Sequence, residues 1–337
     1  MSLNLFEARA LAATVDFLDA HGYQSEPLLD RLGIPVEMMR QGGWVSINQF
    51  YRFAASMAQR VGCREAILEA ELAFFRLDHL GVISPALRSC KTVKETLELA
   101  TRMACRGYQG CRYSLDIRGD TTWLSYSNPR LIPSADKFVD DITLGAYVHL
   151  MRAVVDENWQ PQHLRIQEKD TERHRSLSVF ENCRIDYDPL ASGLAFPTEF
   201  LSRRVPWSTH AESFDESYVS ETMPEVDESF SDTLYRLLAS LFPFDQIPNQ
   251  NRTAKMIGVS PATLKRQLAL TGMTYRRLVD RLRFDAASDM LSIPQMSIKE
   301  ISSELGFSGT SNFVRSFRRM TGVTPAKYRR RQMVDNK

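Results

Sequence analysis

Residues 257–268 read IGVSPATLKRQL, and residues 305–317 read LGFSGTSNFVRSF. Each begins apolar–Gly–apolar–Ser and runs on into a stretch with apolar residues four apart. Gly258 and Gly306 stand where the chain turns between two helices, because a positive φ is cheap only for glycine. Val259 and Phe307 then plug the core. Leu264 and Leu268 in the first copy, and Phe313 and Phe317 in the second, are i, i+4 anchors facing inward on a helix. Each copy is a helix-turn-helix pattern. Two copies whose glycines lie 48 residues apart (306 − 258) suit the reading of two stretches of one DNA groove.

The flanking residues support this reading. In the first copy a helix is predicted over 250–257, with small Ala254 where the two helices cross. Ser260 is an N-cap and Pro261 fits the first helical position. Ala262, Thr263, Lys265, Arg266 and Ala269 are left outside, and an arginine there can pair bidentately with guanine. A long helix follows over 275–291, with Leu278, Leu282, Ala286 and Met290 as its buried stripe and Arg276, Arg277, Arg281 and Arg283 on its surface. In the second copy Ser297 and Glu300 form a capping box. Ile298, Ile301 and Leu305 face inward, and Thr310, Ser311, Val314 and Arg315 face outward. Arg318, Arg319, Lys327, Arg329, Arg330 and Arg331 add a basic tail suited to phosphates.

Charge divides the chain in the same place. Residues 251–337 hold 17 Lys and Arg against 6 Asp and Glu, a balance of +11, while the rest holds 25 against 35, a balance of −10. A basic C-terminal unit on an acidic body is the electrostatic footprint of nucleic-acid binding. Between them THAESFDESYVSETMPEVDESFSDT, at 209–233, has eight acidic residues and no Lys or Arg. We read residues 1–206 as one domain, 207–228 as an acidic linker and 229–337 as the DNA-binding domain. The last opens with a helix carrying Phe230, Leu234, Leu237, Leu238 and Leu241. No run of about 18 apolar residues occurs, which predicts no membrane-spanning helix. MSLNLFEARALAATVDFLDAHG reads as an amphipathic helix and not as an export signal. Five cysteines without such a signal argue for reduced thiols and a cytoplasmic protein. Cys105 and Cys111 leave a redox or metal role open, beside ordinary packing.

Residues 1–206 mix the two periodicities. Leu11, Val15 and Leu18 mark one helix face, and a short segment after Pro35 ends at Met39. Helices are predicted over 47–61, 64–75, within GVISPALRSC, from Thr92 with Glu95 in capping position, and over 135–155. Alternation at 112–117 and 121–126 around Arg118-Gly119-Asp120 reads as a hairpin, with short strands at 163–167, 183–187 and 194–196. The expected fold is therefore an α+β N-terminal sensor domain followed by an all-α C-terminal domain with two helix-turn-helix units. The six histidines are scattered, and no metal-ligand spacing, phosphate loop or cofactor motif is present. Ser178, Cys105 and His174 form no catalytic constellation, so no enzyme is expected. Phe74, Phe75, Tyr108, Tyr113, Trp123, Tyr126 and Trp159 are candidate pocket aromatics, each weighed against an ordinary core role. Arg76, Arg88, Arg102 and Arg106 could anchor a carboxylate or lie on the surface.

The run SIKEISSELGFSGTSNFVRSFRRMTGVTPAKYRR at 297–330 resembles the DNA-binding domain of the AraC/XylS family of bacterial transcription regulators. The resemblance spans about 250–331 and rests on Ile301, Leu305-Gly306-Phe307, Asn312-Phe313, Arg315, Phe317, Gly322, Pro325 and Tyr328. It departs from the family at Gln250, Thr253 and Ser302. Residues 20–206 resemble the arabinose-binding-like sensor domain of a subgroup, through LGVISPALRSCKTVKETLELATRM and CRIDYDPLASGLAFPTEFLSRRVPW. The resemblance implies base contacts from Ala262, Lys265 and Arg266 in the first recognition helix and from Thr310, Ser311, Val314 and Arg315 in the second. Arg318, Arg319 and Lys327 would lie on phosphates. It further implies a small-molecule effector, a homodimer, contact with RNA polymerase and, as the commoner family behaviour, activation. The alternative is an effector-independent DNA-binding regulator controlled by dimerisation or abundance.

Overall fold

The computed structural model describes residues 3–61, 66–81, 83–107, 111–127, 136–167, 172–175, 177–188, 190–208, 228–244 and 247–335. Most of the acidic linker, Cys63 and Tyr108 lie outside the described residues. The chain divides into two compact units, Leu3–Glu228 and Ser229–Lys337.

The N-terminal unit opens with strand β1 (Leu5–Glu7), not with a helix. It pairs antiparallel with β2 (Trp44–Ser46), Phe6 opposite Val45. The Glu7 carboxylate accepts from the Arg9 amide at 3.0 Å and turns the chain into a 3-10 turn, Ala8–Leu11. Only then does α1 (Ala12–Ala20) begin. The amphipathic pattern of this segment thus covers a strand and a turn as well as a helix. Helices α2 (Glu26–Leu32), α3 (Met38–Gln41), α4 (Ile47–Val61), α5 (Ala66–Phe74), α6 (Ile83–Arg88) and α7 (Val93–Gly107) follow. Thr92 and Glu95 close the expected capping box on α7.

The main sheet has five strands in the order β3-β4-β7-β5-β6: β3 (Arg112–Arg118), β4 (Thr121–Ser127), β7 (Ser192–Pro197), β5 (His163–Ile166) and β6 (Arg184–Tyr187). All neighbours are antiparallel except β5 and β6. Register places Leu115, Leu124, Leu194, Leu164 and Ile185 in one row across it. A strand alternates faces at every residue, so this row builds one buried face. Trp123, Ala195 and His163 form the adjacent row on the other side. Helix α8 (Asp136–Val154) packs on β7 and on α5, and α1 packs on α5. Gly145 permits the α5–α8 approach, because a Cβ there would lie 2.4 Å from the Cβ of Glu71.

This core holds polar groups that the sequence did not announce. Glu71 is fully buried, with the Thr14 hydroxyl donating to it at 3.4 Å, and burial pushes its carboxyl well above the usual range. Asp141 and His174 are also fully buried, 3.6 Å apart. Tyr126 donates to Asp140, which also accepts from Ser192 at 3.3 Å. Among the described residues of this unit the remaining α-helix is the short α9 (Glu172–Arg175).

The C-terminal unit is helical throughout its described residues. Its elements are α10 (Phe230–Leu241), α11 (Gln250–Met256), α12 (Pro261–Leu270), α13 (Tyr275–Leu291), α14 (Ile298–Glu304), α15 (Thr310–Thr321) and α16 (Pro325–Asp335). The five apolar residues expected on α10 are all buried. The stripe of α13 differs from the one expected. Leu278, Leu282, Ala287 and Leu291 are buried, while Ala286 and Met290 are only partly so. Nine residues separate Leu278 from Ala287, about two and a half turns, so the two lie on opposite faces. Ala287 and Leu291 join Ile301, Leu305, Phe313 and Phe317 in one cluster, which Leu278 and Leu282 do not enter. The long helix therefore buries one face in its first half and the other in its second.

Candidate nucleic-acid interface

The two turns have the same backbone design. Gly258 has φ +74° and Gly306 φ +68°. The Val259 amide donates to Ala254 O at 2.9 Å, and the Phe307 amide to Ser302 O at 3.0 Å. Both bonds reach back five residues and satisfy carbonyls left open at a helix C-terminus. Val259 and Phe307 are half-buried, and Phe307 packs against the second cluster.

The recognition helices start differently. Ser260 caps α12 by accepting from the Thr263 amide at 3.1 Å, with Pro261 in the first turn. Gly309 is an extra residue in the second copy, and α15 has no side-chain cap. Ser308 instead accepts from the Asn312 amide group at 2.8 Å, and Asn312 Oδ1 accepts from Arg315 Nη2 at 2.6 Å. This Ser–Asn–Arg row holds the guanidinium of Arg315 along the outer face of the first turns. With that one-residue offset, Leu264 and Leu268 match Phe313 and Phe317, and all four are buried. Ala262, Lys265 and Arg266 then match Ser311, Val314 and Arg315. Ala262, Lys265, Arg266, Ser311 and Arg315 are exposed; Thr310 and Val314, expected to face outward, are half-buried.

The departures from the family pattern have separate physical accounts. Thr253 is fully buried, but its hydroxyl lies 2.7 Å from the Tyr275 hydroxyl, which donates to Pro248 O. Gln250 is part-exposed and donates to Pro261 O at 3.3 Å. Ser302 is buried, and its hydroxyl has no hydrogen-bond partner among the described residues.

Not every basic residue is available to an anion. Arg329, expected on phosphate, donates from Nε to Leu291 O at 3.1 Å and from Nη2 to Met296 O at 2.6 Å. It ties α16 to the end of α13, a structural role that corrects the phosphate assignment. Arg281 bridges Asp232 at 3.1 Å and Asp285 at 3.8 Å and lies over the Tyr235 ring. Arg283 lies over Phe307, 5.1 Å from the ring centre. Arg319 pairs with Asp280 at 3.1 Å but stays half-exposed, and Arg318, Lys327, Arg330 and Arg331 are exposed.

In the N-terminal unit most of the candidate aromatics are packing residues. Phe74 stands edge-on to Phe17, Phe75 lies beside His79 and His149, and Trp123 takes Arg165 and His163 on its ring. Tyr126 is buried on Asp140 and Trp159 is half-buried. Of the candidate arginines, Arg76 and Arg88 hold exposed ion pairs with Asp16 and Asp78. Among the described residues no group of three or more His, Cys, Asp or Glu is arranged to hold a metal. None of their helices is long and apolar enough to cross a membrane.

Comparison with known proteins places these features. A helix-turn-helix domain model matches residues 253–331. A model described as the arabinose-binding domain of AraC transcription regulator, N-terminal, matches residues 22–205. Among curated relatives, the HTH-type transcriptional regulator VqsM of Pseudomonas aeruginosa is 38% identical over 85 residues, 25% of this chain and 26% of that protein. The ornithine utilization regulator of the same species is 32% identical over 141 residues, 40% of each. The chain thus matches about a quarter to two fifths of the length of these relatives. The crystal structure of the transcriptional regulator CdpR from P. aeruginosa aligns over 96% of this chain and 98% of that one, with 19% identity and a TM-score of 0.42. The N-terminal family model covers more than half of the chain, and the helix-turn-helix model follows it without overlap: the chain belongs to the AraC family of transcription regulators, with an arabinose-binding-like N-terminal domain and a C-terminal helix-turn-helix region.

Proposed function

We propose that this chain is a one-component regulator that lays α12 and α15 into successive major-groove turns on one face of its DNA site. The observation that carries this is the matched exposure of Lys265 and Arg266 with Arg315 on helices of like position in two like turns. Ala262, Lys265 and Arg266 contact bases from the first helix. Thr310, Ser311, Val314 and Arg315 do so from the second, with Ser311 and Arg315 the more accessible. Arg318, Arg319 and Lys327 take phosphates. The N-terminal domain, residues 1–206, senses a small molecule and pairs two copies, which doubles the recognised site. It joins the DNA-binding residues 229–337 through the linker 207–228, and the protein works in the cytoplasm as an activator that meets RNA polymerase.

Selection of bound sequences from a random DNA pool tests the two-helix reading. Two short motifs per protomer, spaced by about 10 base pairs, are expected. A single motif would leave one helix without a reading role. Transcription in vitro with purified RNA polymerase on the selected site then checks activation, and repression there would reverse the proposed sign.

A further inference from the structure

In the N-terminal unit a recess of about 60 Å³ lies among α7, α8 and the β3–β4 hairpin. Its walls include Ala100 and Ala104 from α7, Ala146 and Leu150 from α8, and Tyr113 and Leu124 from the hairpin. None of its described lining residues is charged. Two of its polar side chains are turned to partners of their own: the Thr101 hydroxyl bonds to Leu97 O and Glu98 O, both at 3.0 Å, and the Tyr147 hydroxyl donates to Ser125 O at 3.1 Å.

Protein interiors are close-packed, with few voids larger than a water molecule. Here the space follows from residue choice. Ala100 and Ala104 share one face of α7 at i, i+4, and Ala146 joins them from α8. The buried Leu97, Leu99 and Met103 of α7 show that large side chains are used elsewhere on that helix. Space of this size exceeds the roughly 10–15 Å³ that one water needs, yet an apolar cavity offers water too few partners and takes apolar ligands instead.

We propose that this recess binds the end of a neutral hydrocarbon chain, a few carbons long, and that such a group is the buried part of the effector. The regulatory meaning rests on the sensing role proposed above; the binding site does not. The walls come from α7, α8 and the hairpin, with Phe6 of β1, Leu80, and Ile83 of α6 beside them, so an occupant ties these elements together. It alters DNA binding only through different affinities for two states of the protein.

The test uses the full-length protein and straight-chain alcohols from 1-butanol to 1-octanol. Binding is read by calorimetry and by the thermal shift of unfolding. Affinity is expected to rise about fourfold with each added CH₂ until the recess is full, and hexylammonium to bind at least about tenfold more weakly than 1-hexanol, because its charge resists burial. Ala146→Leu and, from the opposite wall, Ala104→Leu fill the recess and should abolish alcohol binding. Leu150→Ala enlarges it and should move the best chain length upward, which keeps the test decisive if a filled variant does not fold. No binding to the natural protein, or binding undiminished in both filled variants, overturns the site. Equal affinity for hexylammonium overturns the neutral class. Binding that the filled variants lose, with no change in DNA affinity of the natural protein, upholds the site and instead removes its sensing role.

Discussion

Ser302 occupies the position that Ala254 holds in the first unit, and its hydroxyl is buried without a partner among the described residues. A buried hydroxyl left unpaired costs about 1–3 kcal/mol. Ser302→Ala should therefore stabilise the C-terminal unit by about 1 kcal/mol or more in denaturant unfolding; a loss of stability would mean that the hydroxyl has a partner. Glu7 gives a pH-linked counterpart. Burial raises its carboxyl from the ordinary 4.5 to about 7, against the opposing pull of Arg9. Below about pH 4.5 it is protonated both folded and unfolded. Between 4.5 and 7 only the unfolded chain releases the proton, so stability falls as pH rises through that window. Glu71 shifts in the same direction. Glu7→Gln should flatten the fall in melting temperature between pH 4.5 and 7, and an unchanged slope would refute the assignment. Ser302 stood out in the sequence as a departure from the family pattern, but the burial of Glu7 was not legible, because a glutamate in a strand carries no mark of the burial that long-range packing imposes.

Among the elements, the recognition helices were the easiest to read. Glycine at a positive φ, a serine cap and two i, i+4 anchors are local signals; α12 starts where expected and α13 has its expected ends. The swap of faces on α13 was not legible, since a periodic pattern in one helix does not show that its two halves serve two cores. The three-residue strands β1 and β2 are too short for alternation to mark, and their pairing spans some forty residues of chain. Arg329 looked like its neighbours in the basic tail, and only the fold shows the carbonyls it meets. Arg266→Ala and Arg315→Ala should each weaken binding to the selected site by about 1–3 kcal/mol and relax preference at one position. Equal losses on unrelated DNA would place both residues on phosphates. Arg330→Ala should weaken binding to every sequence and lower the salt slope by about one. Arg329→Ala should instead lower the thermal stability of the C-terminal unit, and a variant as stable as the natural protein would remove its structural role.

Over the whole molecule, the charge division of +11 in residues 251–337 against −10 in the remainder draws one end of the chain to DNA at any sequence. Phosphate attraction positions a protein without telling it what it reads, so on the proposed function specificity comes from the two helices. Hydroxyl-radical footprinting of the full-length protein on its selected site, at near-physiological salt, measures this directly. Two protected stretches per protomer are predicted on one face of the duplex, centred about 10 base pairs apart, with Arg315→Ala weakening one of them and Arg266→Ala the other. A single protected stretch, or diffuse protection that fades evenly with salt, would contradict reading by two helices.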